Sequence, residues 1–359
     1  MIEPNHTTYL VTGGAGFIGS ALVRLLLAAH PEARVVTVDA LTYAGSLVNL
    51  RASRDFGPAT TASCTPAPLD NPRHAFVRAD IRDRAAMTEV FETYRPTFVL
   101  NLAAESHVDR SISAPAAFED TNVGGTVALL DVARAAWERS DGSYPSGVRF
   151  LQVSTDEVYG SLPLRAGVAA FREDTPLAPR SPYAASKASA DLFVRAYHET
   201  YGFPAFITRC SNNYGPRQHA EKLIPHVIGC CLHHERVPLY GDGLNVRDWI
   251  YVDDHCRALD VVLAHGRVGE VYNVGARCER SNAELVRRVI AEVAAATRDR
   301  SISDGLIRHV PDRLGHDRRY AIDPGKLECE LDWRPQASFD TALPEIVRWY
   351  LAHPAALGV

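Results

Sequence analysis

Gly13-Gly14-Ala15-Gly16-Phe17-Ile18-Gly19 follows the apolar run Tyr9–Thr12 and opens a helical pattern over Ala21–Ala29. The string satisfies both G-x-x-G-x-x-G and G-x-G-x-x-G, and its place between a strand and a helix is what makes it informative. Glycines there let the backbone turn tightly and approach a pyrophosphate, whose charge is stabilised by free N–H groups and the dipole at the helix N-terminus. A loose Gly-rich turn is the other reading. Asp39 argues against it: it closes a second strand, Arg34–Asp39, about 20 residues on, where a carboxylate binds the adenosine ribose hydroxyls. The same carboxylate repels a 2′-phosphate, and Arg34, the nearest basic side chain in sequence, lies at the start of the strand rather than after it, so the reading is NAD rather than NADP. Gly13, Gly16, Phe17, Ile18, Gly19 and Asp39 are therefore candidate cofactor residues. Asp80 and Ile81, at the end of the third strand, are placed to meet the adenine, with a plain helix cap as the alternative for Asp80.

Outward from that motif, β-rich runs alternate with helical patterns. Strands are expected at Ala75–Ala79, Thr97–Ala103, Val148–Thr155 and Ala205–Cys210, and helices at Ala85–Tyr94, Ala116–Arg139 and Pro182–Tyr201. This β-α-β-α order implies a doubly wound parallel α/β sheet, with ligands at the carboxyl ends of its strands. From Ser211 the rhythm breaks into short elements rich in Pro, Gly, His and Arg. The expectation is a Rossmann-type NAD-binding domain over 1–210 and a smaller substrate-binding lobe over 211–359. The lobes interleave, because Asp254–His265 and Glu270–Gly275 read as a helix and strand returning to the main sheet, so that 253–275 belongs with the first domain. Arg51–Asn71, rich in Ala, Thr, Pro and Ser, has no period and reads as a surface insertion.

The 359 residues, 46% hydrophobic and 23% charged with a formal net charge of −5, suit a soluble protein with a sizeable core and argue against nucleic acid as partner. Seven scattered cysteines without a repeated C-x-x-C fit a reducing compartment. Met1 to Thr8 are polar and no apolar stretch is long enough for a membrane, so a cytoplasmic protein without a signal peptide is expected. Cys230-Cys231-Leu232-His233-His234 presents thiols and imidazoles at helix-face spacing, but no second cluster accompanies it; a packed helix end is the reading and no metal is assigned.

The chemistry is written at the end of the fifth strand. Thr155-Asp156-Glu157 is followed one loop later by Tyr183-Ala184-Ala185-Ser186-Lys187. Tyr183 and Lys187 share a helix face, and an ammonium beside a phenol favours the phenolate, a base able to take a proton from a secondary alcohol. Alone, the pair is more often only a helix surface contact. Asp156 and Glu157 add two carboxylates that alcohol oxidation does not need, and such pairs suit separate acid and base roles on one substrate.

These residues carry a family resemblance. The chain resembles the extended short-chain dehydrogenases and, within them, the nucleotide-sugar 4,6-dehydratases, above all those acting on dTDP-glucose. The matching segments include Leu41-Thr42-Tyr43-Ala44-Gly45, Asn101–Asp109, Ser154–Gly160, Ser211–Pro216, Glu221–Pro225, Arg247–Val252 and Asp312–Tyr320. The glycine fingerprint and Tyr-Lys pair define only the superfamily; the acidic pair and the Asp312–Tyr320 run are more specific. Ala40 and Ser46 depart from the lysine and asparagine that the family commonly carries there, both near the cofactor site.

The resemblance implies Leu41, Thr42, Leu102, Ala103 and Ala104, together with Tyr183 and Lys187, as further contacts of a tightly bound, regenerated NAD. It implies oxidation at sugar C4 by Tyr183 with Lys187 and a Thr155 hydrogen bond, then elimination, with Glu157 as base at C5 and Asp156 as acid on the departing C6 oxygen. The chemistry asks for the same order, since C5–H is not acidic until a ketone stands at C4. For the nucleotide diphosphate sugar it implies Arg247, Asn212 and Arg313 at the diphosphate and Lys222, Leu223, Pro238, Asn282 and His316 around the nucleotide. Tyr240 is placed to stack on the base, and Ser106 and His107 lie near the sugar. A homodimer through Ala116–Arg139 and Pro182–Tyr201 is likewise implied. A 4-epimerase shares the glycine loop, tyrosine and lysine but needs no acid after the threonine. A catalytically silent NAD-binding protein has no need of the full set, and a uracil nucleotide remains an alternative to thymine.

Overall fold

The structure, a computed structural model, describes residues 7–51, 68–165 and 167–357. Most of the Arg51–Asn71 insertion lies outside the described residues. The strands are β1 (Thr8–Thr12), β2 (Arg34–Asp39), β3 (His74–Arg78), β4 (Phe98–Asn101), β5 (Arg149–Thr155), β6 (Ala205–Cys210), β7 (Asn212–Tyr214), β8 (Val237–Tyr240), β9 (Val246–Tyr251), β10 (Val271–Val274), β11 (Glu279–Ser281) and β12 (Ile307–Val310). The helices are α1 (Phe17–Ala29), α2 (Arg84–Tyr94), α3 (Val108–Ser113), α4 (Pro115–Phe118), α5 (Gly125–Trp137), α6 (Pro182–Tyr201), α7 (Leu223–Leu232), α8 (Val252–His265), α9 (Asn282–Thr297), α10 (Gly325–Leu331) and α11 (Phe339–Ala352).

Seven parallel strands form the main sheet in the order β10-β6-β5-β4-β1-β2-β3. Their buried Val, Leu and Ile runs suit a sheet covered on both faces. On one face Leu22, Val23, Leu26 and Leu27 of α1 meet Cys256, Leu259, Val262 and Leu263 of α8. On the other, Met87, Val90 and Phe91 of α2 join Leu129, Leu130 and Ala133 of α5 and Val194 of α6. Thus α8 and β10 return to the main sheet, while β11-β9-β7, the β12-β8 pair and helices α7, α9 and α11 build a second layer around its own core. The chain order reverses between β1 and β4, so the crevice for a ligand opens outside their carboxyl ends. A buried polar ladder pins that reversal: Thr12 Oγ1 donates to Asn101 Oδ1 (2.7 Å), and Asn101 Nδ2 donates to Gln152 Oε1 (2.8 Å).

The expected helix Ala116–Arg139 is interrupted. Glu119–Gly124 forms a π-helical turn between α4 and α5. Its buried Asn122 accepts from Glu105 N (2.8 Å) and donates to Glu105 O (3.0 Å) and Ser186 Oγ (2.8 Å). The wider turn swings Asn122 toward the loop after β4 and toward α6, joining three elements that a regular helix would leave apart. By contrast α6 matches its expected bounds, because Ser181 caps its N-terminus (Ala184 N to Ser181 Oγ, 3.1 Å), Pro182 starts it and left-handed Gly202 stops it.

Candidate active site

A cleft of about 860 Å³ runs across the carboxyl ends of β1, β2, β4, β5 and β6 and under the second layer. Of the residues expected in the site, all but Leu41 line it. Leu41 has a left-handed backbone, gives its N–H to Asp39 Oδ1 (2.8 Å) and packs against the core.

At the end beside β1 the wall is backbone. A Cβ on Gly13 would stand 2.8 Å from Ala103 N, and one on Gly19 would stand 2.2 Å from Gly13 O. Gly13 also adopts φ +66°, so this turn admits little but glycine. Helix α1 begins at Gly16 with no side-chain cap and no acid in its first turn. Its uncapped amides suit a pyrophosphate. Asp39 Oδ2 accepts from Ala15 N (2.9 Å), so the β2 carboxylate braces the glycine loop while further lone pairs remain for a ribose. Burial raises the Asp39 pKa against these two amide bonds. Asp80 does not cap a helix: Asp83 caps α2, and Asp80 forms a fork with Arg82 (2.7 Å to Nη2). Arg34 lies over the Tyr94 ring and is not part of the cleft wall. Ala15, Asp39 and the glycines thus offer the contour, the amides and the acceptor that NAD requires. Ser46, a departure from the family pattern, accepts from Val48 N and donates its own N–H to Ala15 O (3.0 Å), which ties it to the same loop.

In the middle stand the proton-transfer groups. Thr155 Oγ1 donates to Asp156 Oδ1 (3.4 Å) and accepts from Glu157 N (3.2 Å), capping the turn that follows β5. Asp156 is buried, and its Oδ2 has no hydrogen-bond partner among the described residues. Burial, Glu157 and Asp248 push its carboxyl well above the usual range. Burial raises Glu157 too, but Arg313, Arg247 and Lys222 pull it back. The adjacent carboxyls therefore differ in the sense an acid and a base require. Lys187 is buried and donates to Val153 O (2.8 Å); burial lowers its pKa while Asp191 and Cys210 oppose. Tyr183 is pushed well above its usual range by burial, Glu157, Cys210 and Asp156, with a Thr155 hydrogen bond opposing. The sequence expects Lys187 and a Thr155 hydrogen bond to favour the phenolate; the Thr155 bond acts in that sense, while burial, Glu157, Cys210 and Asp156 act against it.

At the far end the wall is charged. Arg247 is buried, donates to Val246 O (2.7 Å) and Asp317 O (3.0 Å), and lies 4.1 Å over the Tyr320 ring. Among the described residues it has no carboxylate within ion-pair distance, which leaves its charge to the cleft. Arg313 stands 3.8 Å from Asp109. His316 Nδ1 donates to Asp312 Oδ1 (2.6 Å), and burial, Arg313 and Arg247 lower its pKa to about 4, so the ring is neutral. Tyr240 meets it edge-on and is exposed toward the cleft. Lys222 Nζ donates to Ser106 O (3.1 Å), and Ser106 Oγ lies 3.3 Å from Tyr43 Oη. His107 caps α3 through Nδ1, which accepts from Arg110 N (3.3 Å), with Nε2 3.5 Å from Glu221. It is thus a structural cap whose other edge faces the cleft. Asn212, Leu223, Pro238 and Asn282 complete this wall.

Tyr43, Cys210, His219 and Glu221 also line the cleft without having been assigned to it. Tyr43 and Glu221 lie inside the matched motifs, and Cys210 ends a central strand, signals that could have found them; His219 carries none. Cys230 and Cys231 pack in the second core, and His234 pairs with Asp299 (3.5 Å). Among the described residues no group of His, Cys, Asp or Glu is placed to hold a metal ion, and no helix is long and apolar enough to cross a membrane.

Residues 10–346 match the family model described as GDP-mannose 4,6 dehydratase. A dTDP-glucose 4,6-dehydratase of Xanthomonas campestris pv. campestris (strain B100) is 49% identical over 348 residues, 96% of this chain and 93% of that protein. The dTDP-glucose 4,6-dehydratase DesIV from Streptomyces venezuelae, solved with NAD and TYD bound, superposes with a TM-score of 0.84 at 45% identity, covering 97% of this chain and 98% of that one. A UDP-glucose 4-epimerase from Thermotoga maritima, solved with UDP-glucose, gives a TM-score of 0.80 at 28% identity over 97% of this chain and 100% of that one. Fold, cleft and comparisons agree: the chain belongs to the nucleotide-sugar 4,6-dehydratase family, the NAD-dependent sugar hydro-lyases.

Proposed function

We propose that the protein converts dTDP-glucose to dTDP-4-keto-6-deoxyglucose and water. The observation that carries this reading is the pair of adjacent carboxyls, one buried with an unpartnered oxygen and pushed toward its protonated form, the other flanked by cations, beside a tyrosine and a buried lysine. NAD, when bound, is the internal oxidant, taking a hydride from C4 and returning it to C6, so that none is consumed. Gly13, Gly16 and Gly19 with the α1 amides hold its pyrophosphate and Asp39 its ribose, with Thr42, Asp80, Ile81 and Leu102–Ala104 around them.

Tyr183, assisted by Lys187 and Thr155, takes the C4 hydroxyl proton. The resulting ketone acidifies C5–H, which Glu157 removes. Asp156 protonates the C6 oxygen as it leaves, and an enone forms; when the hydride returns to C6, Glu157 gives the proton it took back to C5. Arg247, Arg313 and Asn212 bind the diphosphate; Lys222, Leu223, Pro238, Tyr240, Asn282 and His316 surround the nucleotide; Ser106 and His107 flank the sugar. In this division of labour 1–210, with 253–275, serves the cofactor and 211–359 serves the substrate. The protein works in the cytoplasm as a homodimer joined through α5 and α6, whose Leu192, Phe193 and Tyr201 are exposed. A monomer in equilibrium sedimentation would refute the pairing.

Mass spectrometry after separate incubation with dTDP-glucose and UDP-glucose tests the activity, with no cofactor beyond what co-purifies. Loss of one water from dTDP-glucose is the expected result, faster than from UDP-glucose, which lacks the thymine methyl and carries a ribose 2′-hydroxyl; the methyl alone is worth about 1–3 kcal/mol. A product of unchanged mass and altered chromatography would make the protein an epimerase, and no change with either sugar, even with added NAD, would defeat the proposal.

A further inference from the structure

The buried ion pair of Asp191 and Arg209 takes no part in the steps above, yet it stands directly behind them. Asp191 lies one helical turn beyond Lys187, which lies one turn beyond Tyr183, so the three share a face of α6. Asp191 is 1% exposed, Lys187 4% and Arg209 5%. Arg209 Nε donates to Asp191 Oδ2 (2.9 Å), and its Nη1 donates to Tyr159 Oη (3.0 Å), which in turn donates to Asn273 Oδ1 (2.7 Å). The guanidinium is therefore anchored to β10 and cannot swing away. The second carboxylate oxygen, Oδ1, has no hydrogen-bond partner among the described residues.

A lysine ammonium taken out of water loses its proton unless an opposite charge offsets the desolvation. Tyr183 and Asp191 share the helix face of Lys187, and Cys210 at the end of β6 acts on it from the sheet; Arg209 bears on Asp191, and Asp156 and Glu157 bear on Tyr183. Asp191 and Cys210 are the two that act to keep the ammonium. Burial pushes the Cys210 thiol up to about 12, so it carries no charge at neutral pH. That leaves Asp191. Burial opposes its ionisation in turn, and Arg209 and Lys187 counter that burial.

Resting on the oxidation step proposed above, we infer that Asp191 is a positioning residue. Locked by Arg209, its carboxylate keeps Lys187, whose ammonium is aimed by its bond to Val153 O, charged, so that Tyr183 acts as a base near neutral pH. The chain of charge runs Arg209, Asp191, Lys187, Tyr183, alternating in sign until it reaches the phenol. A purely structural ion pair would hold β6 against α6 and leave the proton chemistry alone.

The test is the pH profile of kcat for the holoenzyme with dTDP-glucose, in wild type, D191N and D191E, with melting temperature and NAD content measured on the same samples. In D191N the acidic limb moves to higher pH by about one unit, with roughly a tenfold loss of kcat at neutral pH and KM unchanged; D191E recovers part of both. A limb that coincides with wild type in D191N, with activity merely scaled, overturns the inference. Where D191N yields no folded holoenzyme, D191E alone decides: its limb moves the same way by less, and an unmoved limb is contradictory. A wild-type protein that releases no dehydrated product defeats the proposed function, whereas an active wild type with an unmoved limb in the variants defeats this role only.

Discussion

At the β1 end of the cleft the wall consists of backbone from which side chains are excluded, whereas at the β5 end it consists of side chains whose charge is buried. Gly13 and Gly19 leave no room for a Cβ against Ala103 N and Gly13 O, while Asp156 and Arg247 are 1% and 5% exposed. In the proposed mechanism the first end selects by shape and amide direction, and the second works by moving protons and holding phosphate charge. Substitutions at the two ends should therefore fail differently: adding atoms at the first costs cofactor affinity, and removing charge at the second costs turnover while the cofactor stays.

The largest separation is expected for E157Q. It keeps the volume and removes the base proposed for C5, so kcat should fall by about 10²- to 10⁴-fold, the range of general acid–base catalysis, with co-purifying NAD unchanged. Equal loss of NAD and of activity would dissolve the distinction between the two ends. At the other end G19A forces a Cβ onto Gly13 O. Overpacking of about 1–3 kcal/mol should weaken NAD binding up to roughly 100-fold by calorimetry, while saturating NAD restores most of kcat. R247M keeps the bulk over Tyr320 and removes the charge; loss of hydrogen bonds to a charged group, about 1.5–3 kcal/mol, should raise KM for the nucleotide sugar with a smaller change in kcat. A normal KM would show that the phosphate charge is met elsewhere.

The smallest effect concerns stability. Burial, then Glu157 and Asp248, raise the Asp156 pKa above its ordinary 3.8. The unfolded chain gives up this proton near 3.8 and the folded chain keeps it, so stability is greatest below 3.8 and declines as pH rises through the folded value. D156N relieves that cost. Its melting temperature at neutral pH should exceed that of wild type by about 1–2 °C per kcal/mol relieved, with the gap closing below the carboxyl's ordinary pKa. A lower melting temperature at neutral pH would mean that the carboxyl is ionised and satisfied in the fold.

How much of this was legible in the sequence follows the same division. The β1-α1-β2 unit, the strand ends and α6 are local: glycine spacing, alternating apolar runs, and the Ser181, Pro182 and Gly202 punctuation carry them. The adjacency of Asp156 and Glu157 is also visible in one dimension. Their different proton affinities are not, because Arg247, Arg313 and Lys222 reach Glu157 from distant segments. The π turn at Glu119–Gly124 escapes periodicity because its reason, the bonds of Asn122 to Glu105 and Ser186, is long-range. The second layer is least legible: β8 and β12 have four residues each, too short to show a period, and meet across a long span of chain. Leu41 shows the limit of motif matching, since it sits within the motif but turns its side chain into the core.

The central claim is that one cleft oxidises C4, eliminates water and returns the same hydrogen to C6 without consuming cofactor. The most direct test follows the fate of deuterium placed at C4 of dTDP-glucose, read by mass spectrometry and NMR of the product formed by the protein as purified. The account predicts many turnovers with no added NAD, a product one water lighter, and the deuterium at C6. A product of unchanged mass, or one that has lost the deuterium to solvent, would contradict it.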